Sequence, residues 1–129
     1  CTLNYCTNCL NYKVTKKFSK SKRRCSCGSY FFQLGPMYSE EIYDKDFVKK
    51  LDDINKTILL IKKESQINSF GYYDYHKIAK KIQKKELSKI DDIIDNIIKK
   101  GYSASRTHFS NTGIKTDMKI KSFMNILKR

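Results

Sequence analysis

The sequence predicts an α+β chain: a small zinc-ribbon-like β unit, then a helical linker, then a winged-helix-like unit. Three observations carry this expectation. All five cysteines lie within the first 27 residues, among short aromatic and glycine-containing runs. Residues 46–66 then repeat apolar side chains at helical spacing. Residues 72–129 run helix, helix, strand, turn, strand, helix, the order expected of a winged-helix unit. The expected boundaries are 1–35 for the zinc-ribbon-like unit, 36–70 for the connector and long helix, and 71–129 for the winged-helix-like unit.

In the first unit, Cys6-x2-Cys9 and Cys25-x-Cys27 are separated by 15 residues. Four thiolates in two close pairs can wrap one Zn²⁺ tetrahedrally, and the intervening length suits a zinc ribbon. The second pair has one residue fewer than the usual two. Gly28 compensates in part, because glycine lets backbone amides turn toward a sulfur. Structural zinc on Cys6, Cys9, Cys25 and Cys27 competes with disulfides and with plainly buried cysteines. Five cysteines in a chain without a visible signal peptide fit disulfides poorly. Cys1 is left over.

Residues 13–24, KVTKKFSKSKRR, hold seven basic residues in twelve and no acid. The run reads either as a solvated loop or as a basic finger pinned at both ends by the metal. In the second reading Lys22, Arg23 and Arg24 meet backbone phosphates, with Phe18 as a stacking surface.

The connector starts at the only proline, Pro36, and carries Glu40, Glu41 and Asp44. Phe47, Val48, Leu51, Ile54, Ile58 and Ile61 recur every three or four residues, which predicts one helix over 46–66. Residues 71–74 lead into a short helix with Tyr75, Ile78, Ala79 and Ile82 on its apolar face. Ser88 is expected to open the next helix, with Asp91 completing a weaker capping box and Asp92 favouring the positive end. Ile90, Ile93, Ile94, Ile97 and Ile98 share one face, and Gly101 supplies the stop. Tyr102 to Phe109 alternates weakly as a strand, residues 111–113 read as a turn, and Ile114 to Thr116 as a return strand. Asp117 can cap a last helix carrying Ile120, Phe123, Met124 and Leu127.

Lysine and arginine total 27 against 13 acidic residues, a net charge of +14, which favours polyanionic partners. The longest aliphatic run is residues 58–61, far short of the roughly 20 apolar residues of a membrane span. No membrane association is expected, and the cytoplasm is the default location, with nucleus or organelle open in a eukaryote. The start at Cys1 rather than Met reads as a fragment or a processed chain. No catalytic residue is visible: the five glycines never form G-x-G, and neither His76 nor His108 has an evident nucleophile or carboxylate partner.

One segment stands apart, residues 101–117, GYSASRTHFSNTGIKTD. It carries three Ser, three Thr, one Tyr, one Asn, one Arg, one His and one Lys, against a single carboxylate. Such a donor-rich stretch suits gripping phosphate oxygens. The competing reading is a solvated hairpin with no partner. Arg106 and His108, two residues apart, share one face of an extended segment.

Three blocks resemble the tRNA guanine-N2 dimethyltransferases, the enzymes that modify guanine 26. Residues 25–48, CSCGSYFFQLGPMYSEEIYDKDFV, resemble their zinc-knuckle, Gly-Pro-Met/Leu-Trp, acidic-connector and Phe-Val stretch. Residues 71–82, GYYDYHKIAKKI, resemble their Tyr-Tyr-Asp-x-His block. The donor-rich segment is similar to their Gly-Tyr-x-x-Ser-x-Thr-His…Ile-Lys-Thr-Asp signature. Departures are Tyr38 for Trp, the short second cysteine pair, and Met118-Lys119 for Ala-Pro.

The resemblance implies the C-terminal, tRNA-holding domain of a two-domain enzyme that converts guanine 26 to N2,N2-dimethylguanine. A Rossmann-like N-terminal methyltransferase domain, absent here, would bind S-adenosylmethionine and carry the Asp-Pro-Pro-Tyr type of catalytic motif. Expected RNA contacts are Ser105, Arg106, Thr107, His108 and Lys115, with Lys22, Arg23 and Arg24 as a second anchor. The alternative is a stand-alone zinc-ribbon/winged-helix protein that binds duplex DNA. Against it, the outward residues of the 90–98 helix are Asp91, Asp92, Asp95 and Asn96, which a phosphate-lined groove repels. A third reading is a zinc-stabilised protein-interaction module with incidental basicity.

Overall fold

In the computed structural model, which describes residues 1–16 and 23–129, the first strands form because short aromatic and β-branched runs alternate with period two. They are β1 (Thr2–Tyr5), β2 (Tyr12–Thr15) and β3 (Phe32–Leu34), antiparallel in the order β2-β1-β3. Register sets Leu3 opposite both Val14 and Leu34, and Tyr5 opposite both Tyr12 and Phe32. The other face is polar: Gln33 Nε2 donates to Asn4 Oδ1 at 2.8 Å, and Asn4 Nδ2 donates to Thr15 Oγ1 at 3.1 Å. These strands belong to a compact unit spanning Cys1–Glu40.

A second unit spans Glu41–Arg129. Its elements are α1 (Lys45–Lys50), α2 (Lys56–Ser65), β4 (Tyr73–Asp74), α3 (Tyr75–Lys81), α4 (Ile90–Lys99), β5 (Ala104–Arg106), β6 (Gly113–Thr116) and α5 (Ile120–Lys128). The second sheet is antiparallel, in the order β4-β6-β5. Phe123, Ile97, Ile114 and Met118 are its most buried large apolar side chains, and the Tyr73 ring lies 4.9 Å from that of Phe123.

Four local expectations are corrected. The single helix over 46–66 is two helices, because two side chains compete to start one. The Asp44 carboxylate accepts from Phe47 N–H at 3.0 Å, and Asn55 Oδ1 accepts from Ile58 N–H at 3.1 Å. Leu51 between them is extended, so Ile54 and Phe47 are exposed and only Val48 of α1 is buried. Ser88 caps nothing: α4 starts after Lys89 without a side-chain cap. Asp117 does not cap α5, which follows Lys119; its carboxylate takes Ser103 N–H at 2.9 Å instead.

The strand expected over 102–109 shortens to β5 because the chain turns at Thr107. Its hydroxyl donates to the Ser110 carbonyl at 3.1 Å and its N–H to the Gly113 carbonyl at 3.1 Å. A Cβ on Gly113 would run into the Thr107 hydroxyl, so the turn requires glycine there. Gly101, at φ +86°, ends α4 as expected.

Candidate metal centre and nucleic-acid interface

In the first unit, two tight turns bring the four expected sulfurs together. Leu10 N–H donates to the Cys6 carbonyl at 2.8 Å, and Gly28 N–H to the Cys25 carbonyl at 2.9 Å. The second turn uses Gly28 at φ +89°, while the first places Leu10 at φ +60°, a conformation that costs a non-glycine residue about 1 kcal/mol. All four Sγ atoms lie within 4.8 Å of one another, with Cys6 to Cys27 and Cys9 to Cys25 each 3.5 Å apart. A tetrahedron with Zn–S bonds of about 2.3 Å has S···S edges of about 3.8 Å, so the donor set fits one Zn²⁺. None of the five cysteines is in a disulfide.

The two pairs differ electrostatically. The Ser29 backbone N–H, helped by the Ser29 hydroxyl and Asn8 amide, pulls the Cys27 thiol down to about 5. The Cys27 backbone N–H lowers Cys25. Burial, with the neighbouring sulfurs acting in the same sense, pushes Cys9 up to about 12. Four thiolates at this spacing cannot all stay ionised without a cation among them. Cys1 stands outside the cluster.

Of the basic run, residues 17–22 lie outside the described residues, and with them Lys22 and Phe18. Arg23 and Arg24 are exposed. The Arg24 guanidinium sits 5.1 Å over the Tyr30 ring and donates to its hydroxyl at 3.2 Å.

In the second unit, the donor-rich segment spends most of its donors internally, where surface phosphate contacts were expected. Ser105, Thr107 and Lys115 are buried. Ser105 Oγ donates to the Arg106 carbonyl at 2.8 Å. Arg106 pairs in bidentate fashion with Asp91 on α4, Nε to Oδ1 at 2.8 Å and Nη2 to Oδ2 at 2.6 Å. Hydrogen bonding to Arg106 lowers the Asp91 carboxyl. Lys115 Nζ lies 4.6 Å over the Tyr43 ring, and burial lowers its amine despite Glu64 nearby.

The hub beneath the hairpin is Glu64, a carboxylate only 1% exposed. Its Oε1 accepts from His108 N–H at 2.5 Å and contacts His108 Nδ1 at 2.9 Å. Its Oε2 accepts from the Tyr43 hydroxyl at 3.2 Å. A carboxylate only accepts, so Nδ1 carries the proton and Nε2 is the acceptor nitrogen of the ring. The His108 ring therefore has a carboxylate partner, 44 residues away in sequence, that no local pattern reveals.

Glu64 and Tyr43 were missed in the sequence, as were Lys56 and Lys63, exposed cations of α2 that bear on Asp91. One signal existed for Glu64. It stands three residues after Ile61, which itself follows Ile58 by three, and so continues the apolar stripe of α2.

The sequence model of the family described as N2,N2-dimethylguanosine tRNA methyltransferase matches residues 1–128. A tRNA (guanine(26)-N(2))-dimethyltransferase from Methanosphaera stadtmanae is 34% identical over 95% of this chain and 35% of its own length. A tRNA (guanine(26)-N(2)/guanine(27)-N(2))-dimethyltransferase from Aquifex aeolicus is 31% identical over 98% of this chain and 33% of its own. The chain thus spans about a third of the length of these relatives. In fold it is similar to Trm1 from Pyrococcus horikoshii, solved in complex with S-adenosyl-L-methionine. The TM-score is 0.73 at 24% identity, over 99% of this chain and 35% of that one.

Proposed function

The chain belongs to the N2,N2-dimethylguanosine tRNA methyltransferase family, and on that premise we propose that it is the tRNA-holding part of a tRNA (guanine(26)-N2)-dimethyltransferase. The exocyclic amine of guanine 26 receives two methyl groups from S-adenosylmethionine, bound by a methyltransferase domain outside this chain. One observation carries the reading: a tRNA-modifying family matches residues 1–128 of a chain with net charge +14. Folded RNA is held through its backbone and shape, which dispersed cations can do.

The two units divide the work. The first is a zinc-ribbon-like unit in which Cys6, Cys9, Cys25 and Cys27 hold Zn²⁺. Four sulfurs leave no open position for water, so the metal ties the two turns together and supplies no chemistry to the RNA. Arg23 and Arg24, exposed and adjacent in sequence to the second pair, then form a basic anchor, to which the sequence would add Lys22. The second unit is winged-helix-like: the succession α2, β4, α3, α4, β5, β6 and the sheet order β4-β6-β5 support this.

In that arrangement α4 occupies the position of a recognition helix, yet it exposes Asp91, Asp92 and Asp95. Contact with RNA therefore falls to the β5–β6 hairpin and its flanks. Arg106 and His108 face the RNA, joined by Lys56 and Lys63, while Ser105, Thr107 and Lys115 hold the hairpin from beneath.

The test is competition at physiological salt. A tRNA transcript should bind with an affinity that falls linearly in log–log form with salt, and duplex DNA of equal charge should displace it poorly. Equal displacement by duplex DNA points to the stand-alone DNA-binding protein, and salt-independent or absent binding ends the proposal.

A further inference from the structure

We propose that Phe109 and Tyr72, with His108 beside them, form a stacking site for one unpaired nucleotide of RNA. This site rests on the tRNA-holding reading and deepens it. Phe109 lies in the turn between β5 and β6, and Tyr72 immediately precedes β4. Both residues are exposed, Phe109 at 59% and Tyr72 at 46%. Apolar rings of this size gain free energy by burial, and the unit buries Phe123 and Tyr75 completely or nearly so. Two large rings kept outside the core, in contact with each other, call for a partner.

Their geometry is specific. Tyr72 meets Phe109 edge to face at 5.0 Å and 81°, and His108 meets Phe109 at 5.0 Å and 88°. Tyr72 and His108 each stand nearly perpendicular to Phe109, so a flat base lying on one ring meets its neighbour at an edge. Base–aromatic stacking tolerates any sequence, because every base presents a π-face.

The corner is also held in place from beneath and offers a hydrogen-bond acceptor to a nucleotide. Glu64, 1% exposed, takes both the backbone N–H and Nδ1 of His108, which fixes the turn and the ring together. The His108 Nε2 has no hydrogen-bond partner among the described residues and, with the proton on Nδ1, is free to accept from the 2′-hydroxyl or a base-edge amino group of a stacked nucleotide. Within residues 101–117 the one carboxylate is Asp117, which takes Ser103 N–H, and the Glu64 carboxylate under His108 is buried at 1% exposure. An RNA strand is accordingly favoured here over an apolar protein segment, which would leave the His108 nitrogen unpaired.

The experiment uses this 129-residue chain and a tRNA transcript with 2-aminopurine at an unpaired position, read by fluorescence quenching and by affinity. Phe109→Ala should weaken binding by about fivefold to 150-fold, with the slope of affinity against salt unchanged, since no charge is removed. Phe109→Trp should bind like the parent. Phe109→Leu, which keeps apolar bulk without a π-face, should bind like Phe109→Ala. Because residue 109 is exposed, circular dichroism should be the same for all four proteins. If Phe109→Ala binds within twofold of the parent, the stacking site is overturned while the tRNA-holding role stands. If Phe109→Leu binds like the parent, the contact is apolar docking and stacking is again overturned. If the parent itself fails to bind tRNA, both fall.

Discussion

Glu64→Ala removes the acceptor on which α2, the β5–β6 turn and the connector converge. Three donors lose their partner: His108 N–H, His108 Nδ1 and the Tyr43 hydroxyl. The part-exposed imidazole can recover water, so the lasting cost falls on the His108 amide, on the Tyr43 hydroxyl, on the cavity and on Lys115, left without its nearby counter-charge. Breaking a buried ionic arrangement of this kind costs about 3–5 kcal/mol. Glu64→Gln keeps the shape and one acceptor oxygen. It loses the charged character of the bonds, a difference of about 1 kcal/mol each, or about 1–3 kcal/mol in all.

Against a total stability of about 5–15 kcal/mol, the alanine variant loses a large share, and at about 4–8 °C per kcal/mol its Tm falls by at least about 12 °C. Helix propensity cannot be the cause, because alanine is the best helix former. Urea unfolding followed by circular dichroism and tyrosine fluorescence measures this, there being no tryptophan and nine tyrosines; the midpoint should drop with an unchanged slope. Glu64→Ala within about 1 kcal/mol of the parent, or Glu64→Gln more damaging than Glu64→Ala, would refute the hub.

Three further outcomes are expected. One zinc per chain should be found by mass spectrometry, cobalt substitution should give thiolate charge-transfer absorption, and Cys9→Ser should abolish both while Cys1→Ser leaves them; dependence on Cys1 would contradict the assignment. Asp91→Asn should free Arg106 with little loss of stability, since the Asp91 side chain is 70% exposed, and should tighten tRNA binding with a salt slope steeper by about 1; unchanged affinity would mean Arg106 is no RNA contact. The Tyr43 hydroxyl is pushed up to about 12 by burial and by Glu64. The unfolded chain releases that proton near 10 and the folded chain near 12, so this contribution is intact below pH 10 and is lost as pH rises toward 12. Tyr43→Phe should remove that part of the decline in urea midpoint, and parallel curves for the two proteins between pH 10 and 12 would exclude it.

What could be read in the sequence is what local pattern determines. The isoleucine stripe of α4 and its stop at Gly101 need only spacing and one left-handed residue. The cysteine cluster needs only ligand identity and two short turns, and the second pair closes despite its missing residue because Gly28 N–H folds back to the Cys25 carbonyl. The break at residues 51–55 was hidden because apolar spacing continues through it. Asp44 and Asn55 were the better signal, each an Asx residue able to start a helix. Ser88 and Asp117 misled for the same reason reversed: a good capping residue is a competent acceptor anywhere, and Asp117 found Ser103 N–H across the hairpin instead.

The donor-rich segment shows where composition stops being informative. Donors are visible in a sequence, but their acceptors are not, and here they lie across the fold: Asp91 for Arg106, Glu64 for His108, the Ser110 carbonyl for Thr107. A polar hairpin buried in a small unit must satisfy itself before it can bind anything. Its polarity therefore goes into the hairpin's own hydrogen bonds, and under the proposed function what remains for RNA is the outward set: Arg106, the rings of Phe109, Tyr72 and His108, and the exposed Lys56 and Lys63 on α2. These two kinds of contact respond differently to salt. Charge reversal at Lys56 or Lys63 should flatten the salt dependence, whereas loss of a ring should lower affinity equally at every salt. If both classes of variant shift the slope alike, the separation between a stacking corner and a phosphate-facing helix is wrong.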